Sequence, residues 1–323
     1  MDDTDRKLMA LLASSPRMHL QELAEKVGIS KQAVHHRMRA LTDEGVFRGT
    51  RAGISFAYLN AVPVTVFGRS DACSVEDTMD TLGESEFTRR VIVAGGNYLY
   101  VVGELRNVSE LKAYARFVAR EASMPQPAVG IYRLDGVPMP DYHVDGVRTR
   151  KQNYKKLSQL DLKIIASLKN DARKPVSEIA EIVGASTKTV KGRLDNMLSD
   201  GSLDIHALID SPLGGEMLSF IHISLRSGSD PAEAARRLLS KYSSLDAYVR
   251  MFVNIPDFFI FVFWSDELRT IRTMLGEIRR DQDVVSSTLN IGYLERLYET
   301  TWRDKLLGAP SAGRNRTEDT EGT

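Results

Sequence analysis

The chain has 323 residues, of which 42% are hydrophobic and 27% are charged, a composition typical of a soluble protein with several compact domains. Its 43 lysine and arginine residues equal its 43 aspartate and glutamate residues, so no overall charge attracts it to nucleic acid. Cys73 is the single cysteine, which excludes an intrachain disulfide and a multi-cysteine zinc site. The acidic start and the lack of a long apolar run predict a cytoplasmic protein without a signal peptide or membrane span.

An internal repeat with an offset of 156 residues organises the chain. The segment from Asp5 to Gly45 aligns without a gap on the segment from Asp161 to Gly201. Self-similarity of this length indicates two tandem copies of one structural unit. The identical pairs include Asp5/Asp161, Arg17/Arg173, Ala24/Ala180, Gly28/Gly184, Ser30/Ser186, Val34/Val190, Arg37/Arg193 and Gly45/Gly201.

In chain order, the first copy begins with three stretches whose apolar residues recur at helical spacing, which predicts three short helices. Gly28 supplies a left-handed conformation after the second helix, and Ser30 is placed to cap the third. This punctuation is typical of a helix-turn-helix domain, which exposes its third helix. A tri-helical module that docks on protein instead of DNA is the alternative.

Polar side chains of the third helix lie off its apolar stripe and form a face that fits the major groove of DNA. Residues 46–58 are predicted to form a short β wing, which contacts phosphate in domains of this kind. Arg37 is predicted with equal weight to brace the module or to contact phosphate. The predicted base-contacting residues are Gln32, His35, His36 and Arg39, and the predicted phosphate-contacting residues are Lys31, Arg48 and Arg51.

The second copy carries a less basic version of this surface. Its predicted wing, residues 202–218, has Asp204 and Asp210 and no arginine in place of Arg48 or Arg51. We therefore expect the first copy to bind DNA more strongly. The DNA-contacting residues predicted in the second copy are Thr187, Lys188 and Lys191.

After each helix-turn-helix the pattern changes to alternating strands with two helical interruptions, in the order βαββαβ. Such a unit leaves one apolar sheet face uncovered by helices, and we expect that face to pair with the other unit or with another chain. The aromatic side chains between positions 252 and 264 are predicted to lie in the sheet core and in the interface between the two sheets. The predicted elements are 61–69, 75–82, 87–105 with a break at 95–97, 109–122 and 128–134, then 217–226, 232–242, 245–264 with a break at 255–257, 267–279 and 284–293.

A helix-turn-helix followed by a βαββαβ domain resembles the Lrp/AsnC (feast/famine) regulators. The resemblance covers the chain twice, from about residue 2 to about residue 303. In that family the first module binds DNA, the second domain mediates dimerisation and further assembly, and amino acids or related metabolites bind between the second domains. The resemblance therefore implies that the chain binds double-stranded DNA and a metabolite effector and self-associates through the regulatory-domain sheets. The residues that carry it are Leu23-Ala24, Val27-Gly28-Ile29-Ser30, Val34, Arg37, Leu41 and Gly45-Val46.

The turn at Gly95, Gly96, Asn97 and Tyr98 is the candidate effector site, because paired glycines expose backbone N–H groups that can meet a carboxylate. A hairpin turn that needs positive φ is the equally supported alternative. The family's typical Gly-Asp-Tyr-Asp reads Gly96-Asn97-Tyr98-Leu99 here and Pro256-Asp257-Phe258-Phe259 in the second copy, a departure that weakens the case for an ordinary amino-acid effector.

We predict an α+β fold in which two winged helix-turn-helix domains alternate with two βαββαβ ferredoxin-like regulatory domains. The winged domains span 1–52 and 157–208, and the regulatory domains span 53–147 and 209–307. A basic linker at 148–156 joins the copies, and a polar tail at 308–323 is predicted to be disordered.

We predict a transcriptional regulator that is not an enzyme and uses no cofactor or metal. Siroheme decarboxylases resemble the same architecture, and a tetrapyrrole enzyme, with His143, His206 or His222 near the reacting group, is one alternative. The other alternative is a ligand sensor that acts through a protein partner.

Overall fold

The computed structural model describes residues 2–133, 155–209, 217–242, 247–265, 267–298 and 300–307. Most of the predicted linker and all of the predicted tail lie outside these residues. Among the described helices, none is both long and apolar enough to cross a membrane. The first copy contains α1 (Asp3–Ser14), α2 (Leu20–Val27), α3 (Lys31–Asp43), β1 (Phe47–Ile54), α4 (Phe56–Leu59), β2 (Val62–Arg69), α5 (Val75–Gly83), β3 (Thr88–Ala94), β4 (Tyr98–Leu105), α6 (Leu111–Glu121) and β5 (Ala128–Ile131).

Among the described residues, the second copy has the same order of helices and strands except that it has no counterpart of α4 between its first two strands, and it adds one helix at its end. It contains α7 (Gln159–Leu168), α8 (Val176–Val183), α9 (Thr187–Asp200), β6 (Leu203–Ile209), β7 (Met217–Leu225), α10 (Pro231–Lys241), β8 (Ala247–Phe252), β9 (Ile255–Ser265), α11 (Leu268–Ile278), β10 (Val284–Leu297) and α12 (Thr301–Leu306). The predicted α+β fold class is confirmed.

The predicted glycine turn and serine cap between the second and third helices are both present in the structure. Gly28 adopts φ 78° at the end of α2, and the Ser30 side chain accepts the Ala33 backbone N–H at the start of α3. The second copy repeats both features, with Gly184 at φ 69° and Ser186 capping α9. The turn geometry that presents each third helix is therefore the same in both copies.

The strands that follow the two helix-turn-helix motifs pair with each other across the copies. β1 and β6 form an antiparallel two-stranded sheet, with Thr50 opposite Ala207 and Ile54 opposite Leu203. Each strand also packs against the other copy's helices, since Ile54 belongs to the core of α7–α9 and Ile209 packs on the core of α1–α3. The expectation of two separate wings is therefore corrected, because each strand completes the opposite module.

Two arginines at matching positions of the repeat reinforce this exchange. Arg173 donates to the backbone carbonyls of Pro16 and Met18 at 2.9 and 2.8 Å, and Arg17 donates to those of Ala172 and, at 3.2 Å, Lys174. Burial lowers the pKa of both guanidinium groups. We call these reciprocal contacts the arginine clasp. It joins the loops between the first and second helices of the two modules.

The two regulatory units share one eight-stranded sheet in the order β5-β2-β4-β3-β10-β7-β9-β8. β10 pairs with β7 of its own unit and then with β3 of the other unit. The outer strands β5 and β8 also meet, through the bridge between Tyr132 and Phe252, so the sheet closes on itself. A Cβ at Gly130 would collide with the Phe252 ring, so only glycine fits β5 at this closure.

The closed sheet separates three apolar layers. One core lies between the first unit's strands and α5 and α6, and a second lies between the other unit's strands and α10 and α11. The third lies between the two sheet halves and is rich in aromatic side chains. The expected pairing of the two apolar sheet faces is thus met within one chain. Of the aromatic run, Phe259, Phe261 and Phe263 face the helices, and Phe252, Phe258 and Trp264 face the interface.

The predicted break at residues 255–257 is wrong, because these residues begin β9 and the turn lies at Val253 and Asn254. The Asn254 side chain donates to the Val129 carbonyl at 2.7 Å and accepts the Ile131 N–H at 2.8 Å. The turn position is therefore fixed by hydrogen bonds to β5 in the other copy, a partner that lies more than a hundred residues away.

Helices α4 and α12, which the pattern did not predict, join the regulatory units to the helix-turn-helix pair. The guanidinium of Arg303 lies 3.8 Å from the centroid of the Phe56 ring, and the Trp302 indole donates to the Glu104 carbonyl at 2.8 Å. Lys169 of the second module forms a 2.8 Å ion pair with Asp304. α12 therefore contacts both the first regulatory unit and the second helix-turn-helix module.

The exchange of strands predicts where a core mutation in β1 acts. Ile54→Ala removes a side chain that is 3% exposed and should destabilise the chain by about 2–4 kcal/mol, because it leaves a cavity among α7–α9. Hydrogen exchange should show the loss of protection in α7–α9 of the second copy. The control is Ile182→Ala, since Ile182 is 56% exposed and its truncation should change the urea midpoint little. Loss of protection confined to α1–α3 would contradict the exchange.

Candidate nucleic-acid interface

The polar face of α3 is exposed as a continuous surface. Val34 and Leu41 are buried in the first module's core, and the five polar side chains predicted for the groove point away from that core. These exposed residues are Lys31, Gln32, His35, His36 and Arg39. The face combines hydrogen-bond donors with positive charge, which is the chemistry required by base edges and phosphates.

Arg37 braces the first module. Its guanidinium donates to Asp2 and Asp5 at 2.8 Å each, which ties α3 to the start of α1, and these hydrogen bonds raise its pKa. Arg193 makes the corresponding contacts in the second module, at 2.9 Å to Ser158 and 3.0 Å to Asp161. We therefore assign Arg37 to the internal role and leave it out of the proposed DNA-facing set.

Arg48 and Arg51 lie on β1 in different settings. The ladder between β1 and β6 shifts register between Phe47 and Gly49, and Gly49 has φ 105°, so Arg48 is an exposed residue at a bulge. Arg51 is half-buried opposite His206, and burial together with the nearby Arg48 charge lowers its pKa. Two positive charges are thus close together on the strand that joins the modules.

The corresponding face of α9 is also exposed but differs in chemistry. Thr187, Lys188 and Lys191 are solvent-exposed, and Asp195 adds an exposed carboxylate to the same face. Asp195 also attracts the Arg17 guanidinium of the arginine clasp. The positive charge of this face is therefore confined to the first half of the helix.

The candidate effector turn lies at the seam between the regulatory units. Gly96 and Asn97 have positive φ, as the hairpin alternative requires, and the Gly95 N–H donates to the Ile291 carbonyl of the other unit at 3.0 Å. This N–H is therefore already bonded, and the carboxylate-binding role expected of it is corrected. Gly96 is exposed, and Asn97 and Tyr98 are half-buried beside it.

Next to this turn, His222 is enclosed by aromatic rings, a feature that sequence reasoning missed. The rings of Phe67, Tyr98, Tyr100 and Phe258 meet the imidazole edge-on, with centroids 5.5 to 5.6 Å away. Its Nε2 lies 2.7 Å from the Tyr100 hydroxyl, which also accepts a hydrogen bond from Asn290 at 2.9 Å. Burial lowers the pKa of His222 to about 4.

Two family models match the helix-turn-helix segments. Residues 1–48 match winged helix-turn-helix DNA-binding, and residues 157–198 match the AsnC-type helix-turn-helix domain. The chain is 28% identical to the HTH-type transcriptional regulator LrpA of Pyrococcus horikoshii over 31% of this chain and 71% of that protein. It is 31% identical to the regulatory protein AsnC of Haemophilus influenzae over 33% of this chain and 69% of that protein.

A solved structure matches the whole arrangement. The siroheme decarboxylase NirDL aligns with a TM-score of 0.59 at 14% identity, covering 95% of this chain and 99% of that one. With so low a sequence identity, the structural alignment shows that the two proteins share a fold and nothing more. The pairing of two helix-turn-helix modules with two regulatory units in one arrangement is therefore a fold that another protein also adopts.

The His222 environment predicts a pH dependence of stability. Because the folded chain favours the neutral imidazole, unfolding becomes easier as the pH falls from 6.5 to about 4, by up to about 3 kcal/mol. Urea midpoints measured across this range should fall for the unmodified chain, and His222→Gln should remove most of that dependence. His19→Gln, at an exposed histidine, is the control and should leave it unchanged. Equal pH dependence in both variants would contradict the assignment to His222.

Proposed function

Because the chain belongs to the Lrp/AsnC family of transcriptional regulators, we propose that it regulates transcription by sequence-specific binding of DNA through α3. The observation that carries this proposal is the exposed polar face of α3, on a module whose turn, cap and brace fix the helix relative to its core. A helix presented in this way enters the major groove of B-form DNA.

The proposed contacts divide by chemistry. The Gln32 amide can donate to N7 of adenine and accept from its N6 amino group. The Arg39 guanidinium can donate two parallel hydrogen bonds to O6 and N7 of guanine. His35 and His36 extend the base-contacting surface, and Lys31 lies at the first turn of α3, where a phosphate also meets the positive end of the helix dipole. Arg48 is proposed to contact phosphate from the bulge in β1, with Arg51 behind it.

A metabolite effector is a second part of the proposal. Its site lies at the seam formed by Gly96, Asn97 and Tyr98, where the turn of one regulatory unit meets β10 of the other. A ligand here would act on the junction between units. Because the Gly95 N–H is bonded to Ile291, the proposal rests on the exposed side of the turn.

Self-association of separate chains is also proposed, but by another route than the sequence indicated. The apolar faces of both sheet halves are covered within the chain. We therefore propose that further assembly uses the outer helices of the regulatory units.

The tetrapyrrole-enzyme alternative draws support from the fold shared with siroheme decarboxylase NirDL. Of its candidate histidines, His143 lies outside the described residues and His206 lies on the strand between the helix-turn-helix modules. His222 is packed among four aromatic rings. The sequence relatives named as regulators favour DNA binding, so we rank the enzyme second.

Arg39→Ala tests the placement of α3 in the groove. Loss of a bidentate base contact should weaken binding to the preferred site about 5- to 150-fold and weaken binding to random DNA far less. The measurement is an equilibrium titration of selected and random duplexes across a salt series, which separates base contacts from phosphate contacts.

The matched control is Arg116→Ala, which removes the same charge from an exposed position on α6. It should leave both affinities unchanged. An equal loss on selected and random DNA for Arg39→Ala would show that α3 does not read bases. No binding by the unmodified chain at low salt would favour the protein-docking sensor, and a visible absorption band on purification would favour the enzyme.

A further inference from the structure

We propose that the DNA site of this chain is bipartite and asymmetric, with α3 reading one half-site and α9 reading a second half-site of different sequence at a fixed spacing. The inference rests on the proposed function and adds to it the form of the DNA target.

The two helix-turn-helix modules form one mechanical unit. β1 contributes Ala52 and Ile54 to the core of α7–α9, and β6 contributes Ala207 and Ile209 to the layer that covers α1–α3. Moving one module relative to the other would therefore open both cores. The arginine clasp adds a second connection, between the loop that follows α1 and the loop that follows α7. Together these contacts hold α3 and α9 in one fixed arrangement.

Both third helices are prepared in the same way for insertion into a groove. Each begins at a serine cap after a left-handed glycine, and each is tied by an arginine to the start of its module's first helix. The ties are Arg37 to Asp5 and Arg193 to Asp161, at matching positions of the repeat. The second module thus keeps the glycine, the serine cap and the arginine tie that position the third helix in the first.

The exposed faces of the two helices differ at every matched position. Two identical modules related by a two-fold axis read a palindrome, because each half of the site meets the same side chains. Here no such identity exists on the described faces, so a palindrome cannot satisfy both. The matched pairs are Lys31/Thr187, Gln32/Lys188, His35/Lys191, His36/Gly192 and Arg39/Asp195, and all ten residues are exposed.

The last pair makes the difference in base preference concrete. The Arg39 guanidinium donates hydrogen bonds and suits the O6 and N7 acceptors of guanine. The Asp195 carboxylate only accepts hydrogen bonds, so it is repelled by those atoms and suits the N4 donor of cytosine. Lys188 and Lys191 supply donors for guanine or phosphate where the first module has Gln32 and His35.

Selection from random duplex DNA with the full chain tests the proposal. The expected result for the unmodified chain is a site with two unlike halves at one spacing. The face-exchange variant carries Thr187→Lys, Lys188→Gln, Lys191→His, Gly192→His and Asp195→Arg, so that α9 presents the side chains of α3. It should select an inverted repeat of the first half-site.

Two further variants serve as controls for the face-exchange variant. Because Asp195 attracts Arg17 in the arginine clasp, a second variant carries the first four changes and keeps Asp195, and it should still select a changed second half-site. Glu233→Gln on α10 is the charge control, since it adds one positive unit, as the full exchange does, at an exposed site far along the chain. It should select the unmodified site.

Spacing provides an independent measurement on the selected site. Inserting five or ten base pairs between the halves should each weaken binding by about 30-fold or more, because a fixed pair of helices cannot follow either change. Full affinity at the ten-pair insertion would show a flexible connection and overturn the fixed spacing.

The outcomes separate this inference from the function on which it rests. If the unmodified chain selects one half-site, and the face-exchange variants select the same one, α9 does not read DNA and the inference fails while the regulator proposal stands. If the unmodified chain selects no sequence at low salt, the proposed function itself fails.

Discussion

The exchange of β1 and β6 between the helix-turn-helix modules is the constraint on which the rest of the structure depends. A three-helix module of about forty residues buries too little apolar surface to be stable alone. Each module gains the missing layer from the strand that the other copy supplies, with Ile54 buried against α7–α9 and Ile209 packed over α1–α3. Because each core contains residues from both copies, the two modules fold together, and their third helices inherit a fixed separation.

Each regulatory unit likewise covers apolar surface of the other copy, here with a whole sheet face. Each unit covers one sheet face with its own helices and leaves the other face apolar, and the two apolar faces pack on each other inside the closed eight-stranded sheet. Residues at this interface need not match, since one chain encodes both halves independently. There His222 on β7 packs against the Phe67 ring on β2 and is hydrogen-bonded to the Tyr100 hydroxyl on β4, so unlike side chains of the two units meet across the interface.

Fusion in one chain has the same consequence at the exposed faces of α3 and α9, which we propose contact DNA. A dimer of identical chains carries every substitution twice, whereas this chain can vary one helix face and keep the other. The devices that hold each helix, such as the Arg37 and Arg193 braces, are the same in both copies. The side chains that point outward differ. α12 contacts the first regulatory unit at Glu104 and the second helix-turn-helix module at Lys169.

The features that could be predicted from the amino-acid sequence are those that depend on near neighbours along the chain. The three helices of each module, the caps at Ser30 and Ser186, the βαββαβ order and the exposed face of α3 follow from periodicity and capping, which act over a few residues. The internal repeat also predicted two copies of the unit. Four features could be seen only in the folded chain: the pairing of β1 with β6, the arginine clasp, the contact of Arg37 with α1 and the turn before β9 at Asn254. These features depend on partners far away in sequence, and a strand or an arginine carries no local signal of the group it will meet.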